Sequence, residues 1–293
     1  MIKIMADSTC DLSKEILELY DISLAPLTIN IEGKIYKDRI DIKPDDFYEM
    51  MEDLSEFPST GMPSPTEYLE IIKKAVKDGY KEVVCICMSS GTSGSYQSAV
   101  IAKDYFFEEV PDSTVKIHVV DSKCMSHGSG WLLLKSALMR EKGASFEEII
   151  QFVEKYKVNV KHFLSVDDLN HLIKSGRISN TSAFIGKILL LKPIMTMKNG
   201  KGAIVAKERG RKKVLNYYVQ EFISRNDKEI TDFIIIGYTS DKKVAESLKE
   251  KLQLETDFVG DIYIMQMGVS VGTHVGLGAI SMFFIEKEDT NRK

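Results

Sequence analysis

Three short apolar runs in the first half of the chain each end in a cluster of hydroxyl and acidic side chains. The runs are rich in β-branched residues and cover 2–5, 83–88 and 115–120, and the clusters follow at 7–9, 89–95 and 121–122. Helical patterns separate the runs, and strands that alternate with helices form a mostly parallel sheet. Because the carboxyl ends of parallel strands face the ligand crevice, the three clusters are predicted at one edge of one sheet.

Two helix starts support this alternation. Ser64 and Ser145 each stand where an N-cap residue is expected, with a glutamate three positions later, which is the pattern of a capping box. The segment 22–40 interrupts the alternation, and Gly33 within it is typical of a tight turn. We therefore predict a hairpin insertion near 22–40, after the first helix.

The pattern changes near residue 159. An apolar helix is predicted over 183–191 and is stopped by Pro193. The uncharged segment 268–285 is interpreted as a strand end, a glycine loop and a buried segment. Strands are predicted over 162–166, 232–239 and 261–268. This half therefore has an α+β pattern.

The predicted fold class is α/β, with an N-terminal parallel-sheet α/β domain and a smaller α+β C-terminal domain. The first domain covers residues 1–160 and carries anion-binding loops and the hairpin insertion, and the second covers 161–293. A chain of 293 residues is long enough for two domains of ordinary size.

Charge and cysteine content exclude several function classes. Lys and Arg number 39 against 43 Asp and Glu, a net charge of −4, which argues against a nucleic-acid partner. Four cysteines in so long a chain indicate reduced thiols in the cytosol, and no second pair stands at zinc spacing, so no metal site is expected. The N-terminus reaches Asp7 before an apolar signal region forms, and 268–285 is too polar and glycine-rich to span a bilayer. We expect a cytoplasmic protein without stable membrane insertion.

The loop 89–95 has the chemistry of an anion site. It holds five hydroxyl residues and two glycines and leads into a helix that starts near Tyr96. Glycines let backbone N–H groups turn inward, and the helix adds its positive end. The loop is not a Walker A motif, because no Gly-Lys-Ser/Thr follows at that spacing. A carboxylate or a phosphate therefore suits it.

An enzymatic interpretation stays open beside this one. Ser93, Asp121 and His127 follow the chain order of an α/β-hydrolase triad, although Ser95 stands where the nucleophile elbow needs glycine. The alternative function is therefore a stand-alone small-molecule enzyme, a hydrolase or phosphotransferase, that uses the same crevice. Among the histidines, His274 is the functional candidate, because it lies between glycines in a predicted loop.

Several separated motifs together resemble those of the DegV family. They lie at residues 7–12, 89–99, 121–122, 174–179, 192–194 and 209–213. The resemblance covers nearly the whole chain. It implies a two-domain carrier, not an enzyme and without catalytic residues or cofactor, that binds one long-chain fatty acid such as palmitate or oleate between its domains.

The resemblance also implies roles for individual residues. Thr60, Ser93, Gly94 and His274 match the positions that hold the fatty-acid carboxylate, with Thr60 in a loop that leads to Pro65. Arg177 matches a motif arginine near the opening of the site, where it would face a separate fatty-acid kinase subunit that makes acyl-phosphate. For the acyl tunnel, the candidates are Met88 and Met125, because flexible thioethers adapt to a variable chain, and the apolar residues Ile185, Ile188 and Leu189.

Overall fold

The structure is a computed structural model that describes residues 1–179 and 191–288. Its helices are a 3-10 turn η1 (Ser8–Cys10) and α1 (Lys14–Leu19), α2 (Pro44–Met50), α3 (Pro65–Lys77), α4 (Ser95–Glu109), α5 (His127–Glu141), α6 (Phe146–Tyr156), α7 (Asn170–Ser175), α8 (Arg211–Arg225), α9 (Lys242–Glu255) and α10 (Val269–Val275). Its strands are β1 (Ile2–Asp7), β2 (Ile22–Ala25), β3 (Thr28–Ile31), β4 (Lys34–Lys37), β5 (Ser59–Gly61), β6 (Glu82–Cys87), β7 (Lys116–Asp121), β8 (Val160–Ser165), β9 (Ile178–Ser179), β10 (Leu191–Lys198), β11 (Lys201–Arg209), β12 (Phe233–Tyr238), β13 (Asp261–Gln266) and β14 (Ile280–Ile285).

The first sheet is parallel and has the order β2-β1-β6-β7. The strands β1, β6 and β7 are the three predicted apolar strands. The strand β2 corrects the predicted extent of the insertion, because Ile22 pairs with Ile4 and makes β2 the edge of this sheet. The inserted segment, called the excursion below, therefore begins only at β3. The sequence signal for β2 is weak because an edge strand of four residues with a half-exposed centre carries no continuous apolar run.

The excursion is a three-stranded antiparallel sheet in the order β4-β3-β5. Glu32 and Gly33 form the turn between β3 and β4, both with positive φ. The strand β5 carries Thr60, which pairs with Ile29, so Thr60 lies in a strand and not in the loop that the resemblance implies. Strand pairing fixes its backbone, whereas a loop would leave it freer.

The second sheet is mixed and has the order β13-β12-β14-β8-β10-β11-β9. A helix is predicted over 183–191, and its residues 183–190 lie outside the described part of the chain. Leu191 begins β10, so the predicted helix does not extend to this residue, and Pro193 lies inside that strand opposite Lys207. The parallel sheet and this mixed sheet confirm the α/β fold class.

The glycine-rich segment near the end of the described chain contains the helix α10, so the prediction that His274 lies in a loop is wrong. Gly272 allows this helix, because a side chain there would collide with the ring of the buried Tyr48. Gly276, with φ of 73°, ends the helix and turns the chain into β14. One glycine therefore permits close packing against Tyr48, and the other permits the helix to end.

The helix α5 packs between the two large sheets and joins their cores. Trp131 on α5 is fully buried, stacks on Phe233 of β12 and donates its indole N–H to the carbonyl of that residue at 3.1 Å. The same apolar cluster includes Ile4 of β1 and Phe283 of β14. The division into domains 1–160 and 161–293 stays a prediction. The shared core fixes how the carboxyl edge of the parallel sheet faces the inner side of the mixed sheet.

Candidate functional site

A cavity of about 200 Å³ lies where the parallel sheet, the excursion and the mixed sheet meet. One buried water needs roughly 10–15 Å³, so the space is large enough for an extended ligand. All five residues that the sequence and the resemblance nominate for the site line it: Thr60, Ser93, Gly94, Arg177 and His274. They come from four separate elements or turns, and only the tertiary fold brings them together.

Hydroxyl groups and one imidazole gather at one wall of the cavity. Thr60 Oγ1 lies 2.8 Å from His274 Nε2. Ser93 Oγ lies 2.9 Å from Ser95 Oγ and accepts the backbone N–H of Ser95 at 3.2 Å. Gly94 is the N-cap residue of α4 and makes no side-chain cap hydrogen bond. The N-terminus of a fifteen-residue helix, which carries a partial positive charge, therefore lies at Ser93 and Ser95.

Two carboxylates hold the glycine-serine loop, residues 89–95, in place. They lie at the ends of β1 and β7, the strands on either side of β6. Asp7 accepts the backbone N–H of Met88 at 2.8 Å, and Asp121 accepts that of Ser90 at 3.0 Å. Ser89 donates to the carbonyl of Gly200 in the β10–β11 turn at 2.6 Å. The three predicted clusters do meet at one sheet edge, but the two acids support the loop and do not line the cavity.

Burial keeps His274 neutral at physiological pH. Its pKa falls from 6.5 to about 4, first because the ring is removed from water and then because the charges of Arg177 and His171 disfavour a further positive charge. Nδ1 of His274 is buried and has no hydrogen-bond partner among the described residues. A neutral ring can donate one hydrogen bond and accept another, and the contact between Nε2 and Thr60 uses one of these two.

The helix α10 is positioned by buried polar contacts that the sequence analysis missed. Asp11 accepts the backbone N–H of Gly268 at 2.8 Å and the hydroxyl of Ser126 at 2.6 Å. Tyr48 donates to the carbonyl of Met267 at 2.9 Å. Burial raises the pKa of Asp11 to about 7 against the opposing effect of Arg39. The spacing of the two acids was the available signal, since Asp7 ends the first strand and Asp11 comes four residues later.

The rest of the cavity wall is largely apolar and rich in methionine. Six methionines line it in the described part of the chain: Met62, Met88, Met125, Met195, Met197 and Met267. Met88 and Met125 are the two that the sequence analysis nominated. The other nominees, Ile185, Ile188 and Leu189, lie outside the described residues. Thioether side chains have three rotatable bonds and fill irregular space, so this wall suits a flexible apolar ligand.

The alternative hydrolase triad does not form. Ser93 bonds Ser95, Asp121 bonds Ser90 and Lys123, and His127 contacts Ser126, so no two of the three candidate residues are hydrogen-bonded to each other. Burial also lowers the pKa of His127 to about 3. This ring is a core side chain and is not placed to activate Ser93 as a base.

The cysteines belong to the core. Cys85 and Cys87 point to the same side of β6, as their alternation predicts, with sulfur atoms 3.6 Å apart, and all four thiols are buried. In the described part of the chain no group of three metal-binding side chains occurs. Over residues 1–179 and 191–288, no helix has the length and apolar character to cross a bilayer.

Known proteins share both the sequence and the fold. Residues 1–287 match a family described as uncharacterised proteins of the DegV family. A DegV domain-containing protein of Clostridium acetobutylicum is 38% identical over 288 residues, 98% of this chain and 99% of that protein. A stearic acid-binding protein of Eubacterium ventriosum has a TM-score of 0.87 and 30% identity over 98% of this chain and 99% of that one. DegV of Bacillus subtilis, described as a fatty acid binding protein, has a TM-score of 0.85 and 28% identity with the same coverage of both chains.

Proposed function

This chain belongs to the DegV family, and from that premise we propose that it is a carrier that binds one long-chain fatty acid. The carboxylate is held by Thr60, Ser93, Gly94 and His274, and the acyl chain lies along the methionine-rich wall. The observation that carries the proposal is that hydrogen-bonding polar groups, among them the neutral His274, and a largely apolar wall line the same cavity. We propose that palmitate and oleate are ligands and that no cofactor takes part.

The polar wall has the donors that a carboxylate needs. With its proton on Nε2, His274 donates to Thr60 Oγ1, which leaves the Thr60 hydroxyl hydrogen for the ligand. The Ser93 hydroxyl and the open N-terminus of α4 supply further donors. Hydrogen bonds to an ionised group are roughly twice as strong as neutral ones, so this set offsets the cost of removing a carboxylate from water.

The apolar wall supplies the affinity. Burial of a sixteen-carbon chain gains about 0.8 kcal/mol per methylene, on the order of 12 kcal/mol in total. Loss of ligand freedom and ordering of side chains cost several kcal/mol. We therefore expect dissociation constants near micromolar or lower. The proposed location is the cytoplasm, where four buried thiols stay reduced.

Denaturing extraction followed by mass spectrometry tests the proposal. We expect close to one long-chain fatty acid per protein in the extract of the purified chain. Delipidated protein should also take up palmitate or oleate in a titration. An empty extract together with no uptake would contradict the carrier function and would favour the stand-alone enzyme, which is then tested by turnover of soluble esters and phosphoesters.

We further propose that the bound carboxylate is presented to a separate fatty-acid kinase and that Arg177 faces this partner. Arg177 lines the cavity, and its charge reaches His274. Protein saturated with oleate should lose acyl-phosphate formation by the kinase of the same organism when Arg177→Glu is introduced. Saturation removes any effect on acid affinity, and Lys155→Glu, on the exposed surface of α6, is the matched control. An unchanged rate of acyl-phosphate formation for Arg177→Glu would show that Arg177 is not part of the kinase contact.

A further inference from the structure

The turn between β10 and β11 reaches from the mixed sheet to the glycine-serine loop of the parallel sheet. Asn199 and Gly200 form this turn, with φ of 51° and 74°, as a two-residue hairpin turn requires. Such tips ordinarily lie in water, yet Gly200 is buried. The hydroxyl of Ser89, a fully buried residue, donates to the Gly200 carbonyl at 2.6 Å. The turn is therefore packed directly against the glycine-serine loop.

Two glycines allow this close approach. A methyl group on Gly200 would lie 2.6 Å from Ser89 Oγ, and one on Gly91 would lie 2.5 Å from the Gly200 carbonyl oxygen. Both separations are well below van der Waals contact, so a side chain at either position would force the turn and the loop apart. Gly91 does not have a positive φ, so its backbone does not demand glycine. The approach of the turn is a sufficient reason for a glycine at this position.

Ser89 joins the turn to the part of the loop that faces the cavity. Its carbonyl oxygen accepts the backbone N–H of Thr92 at 3.0 Å and that of Ser93 at 3.1 Å. Thr92 and Ser93 line the cavity, whereas Ser89 and Gly200 are not among the described residues that line it. The contact between Ser89 and the turn can therefore act on a ligand only through the loop.

The same hairpin carries part of the apolar wall. Met195, Thr196 and Met197 on β10 line the cavity. Met197 lies three residues before Gly200, which is roughly 10 Å along an extended strand. The two strands are paired from Leu191 to Arg209, so the spacing between this wall and the tip of the hairpin is fixed by backbone hydrogen bonds.

We propose that the turn of Asn199 and Gly200 is a positioning element for the carboxylate site, which sets where Ser93 stands relative to the apolar wall on β10. This inference rests on the proposed fatty-acid binding. One ligand has to reach both places, so a fixed distance between them lowers the cost of binding. Loss of the contact displaces the hydroxyl that holds the carboxylate, while burial of the chain, which is not directional, is retained.

Gly200→Ala tests the turn, and Gly33→Ala is the matched control. Gly33 lies in the β3–β4 turn with φ of 83°, so alanine there has similar backbone strain, but its methyl group would meet no described atom within 4 Å. Both delipidated variants are titrated with palmitate and with 1-hexadecanol, which has the same chain length without the carboxylate. Relative to Gly33→Ala, we expect Gly200→Ala to raise the Kd for palmitate about tenfold and to leave that for 1-hexadecanol within about twofold.

Ser89→Ala tests the same contact without added bulk and keeps the test decisive if Gly200→Ala does not fold. It removes the hydroxyl that donates to Gly200. Ser136→Ala is its matched control, because Ser136 is equally buried and donates within α5. We expect Ser89→Ala to raise the Kd for palmitate by about three- to tenfold, again with little change for 1-hexadecanol.

The comparison of the two ligands separates positioning from a general loss of structure. Equal losses of affinity for palmitate and 1-hexadecanol would overturn the positioning role, because a merely structural contact affects both ligands alike. An unchanged Kd for palmitate in Gly200→Ala and Ser89→Ala would overturn it as well. If the wild-type protein does not bind palmitate, the proposed function itself fails, and this inference fails with it.

Discussion

The two kinds of wall around the cavity differ in how they are built. The wall with Thr60, Ser93 and His274 depends on a few hydrogen bonds of defined length, and each of its elements is held by buried polar contacts. The methionine wall consists of six flexible side chains whose thioethers make no directional hydrogen bonds to one another in the described part of the chain. The first kind fixes one chemical group in one place, and the second adapts to whatever chain is attached to it. We therefore expect single substitutions to weaken fatty-acid binding strongly at the polar wall and only slightly at the methionine wall.

The largest effect on affinity is expected at Ser93. Ser93→Ala removes a hydroxyl donor to the carboxylate and should raise the Kd for palmitate by about 10- to 100-fold, since hydrogen bonds to charged groups contribute roughly 1.5–3 kcal/mol. Fluorescence displacement or calorimetry measures the constant, and circular dichroism checks the fold. Ser247→Ala, on the exposed face of α9, is the control. Unchanged affinity in Ser93→Ala would mean that the carboxylate is bound elsewhere.

Gly272 tests whether the polar wall depends on the position of α10. Gly272→Ala places a methyl group against the ring of Tyr48 and should push the helix that carries His274 away from α2. Overpacking of this kind costs about 1–3 kcal/mol of unfolding free energy. We expect palmitate affinity to fall by up to about tenfold, because part of that strain reaches the site. Wild-type affinity in a destabilised variant would show that the helix tolerates displacement.

Asp11 provides a pH test of the polar wall, because this buried acid holds the start of the helix that carries His274. The folded-state pKa of Asp11, about 7, lies above its ordinary value of 3.8, so the folded protein takes up this proton first. The contribution of Asp11 protonation to the free energy of unfolding therefore grows as pH falls through about 7 and is lost as pH rises. Relative to Asp11→Asn, the wild type should gain about 1 kcal/mol of unfolding free energy between about pH 7 and about pH 6.

Urea unfolding of both proteins at both pH values measures this difference. The histidines are common to the two proteins, so their titration cancels. An identical difference at the two pH values would show that Asp11 is not protonated in this range.

The smallest effect is expected at the methionine wall. Met267→Leu conserves volume and should change the Kd for palmitate by no more than about threefold, because such swaps cost little. What should change is the profile of affinities across acyl chain lengths, since leucine is branched and less adaptable. Met282→Leu is a matched control, because Met282 is also fully buried but lies in the core outside the cavity. A loss of binding as large as that of Ser93→Ala would remove the distinction between the two walls.

Short-range chemistry made much of the fold predictable. The capping boxes at Ser64 and Ser145 are present as predicted, because a serine and a glutamate three residues apart satisfy each other's backbone without help from the rest of the chain. The three apolar runs become adjacent strands, and their polar ends meet, because both properties follow from the parallel sheet. Most of the polar wall was available from these local signals and from the family resemblance.

Features that depend on tertiary contacts were missed. The helix α10 contains glycine and β-branched residues and has little helical propensity of its own, and it is held by Asp11 and Tyr48, which are more than 200 positions away. Proline is unfavourable in the middle of a sheet, yet Pro193 lies within the strand β10. The pairing of His162 with Phe283 depends on strand order, which periodicity does not specify.

The four buried thiols make the protein a convenient subject for site-specific spectroscopy. Cys10, Cys85, Cys87 and Cys124 are all inaccessible, and burial raises the pKa of Cys10 to about 12, so alkylating reagents should spare them in the native state. A single cysteine placed at Met62, which is 55% exposed and also lines the cavity, would then be the reactive one. A fluorophore attached there would report ligand entry and exit in real time, without first replacing any native residue of the core.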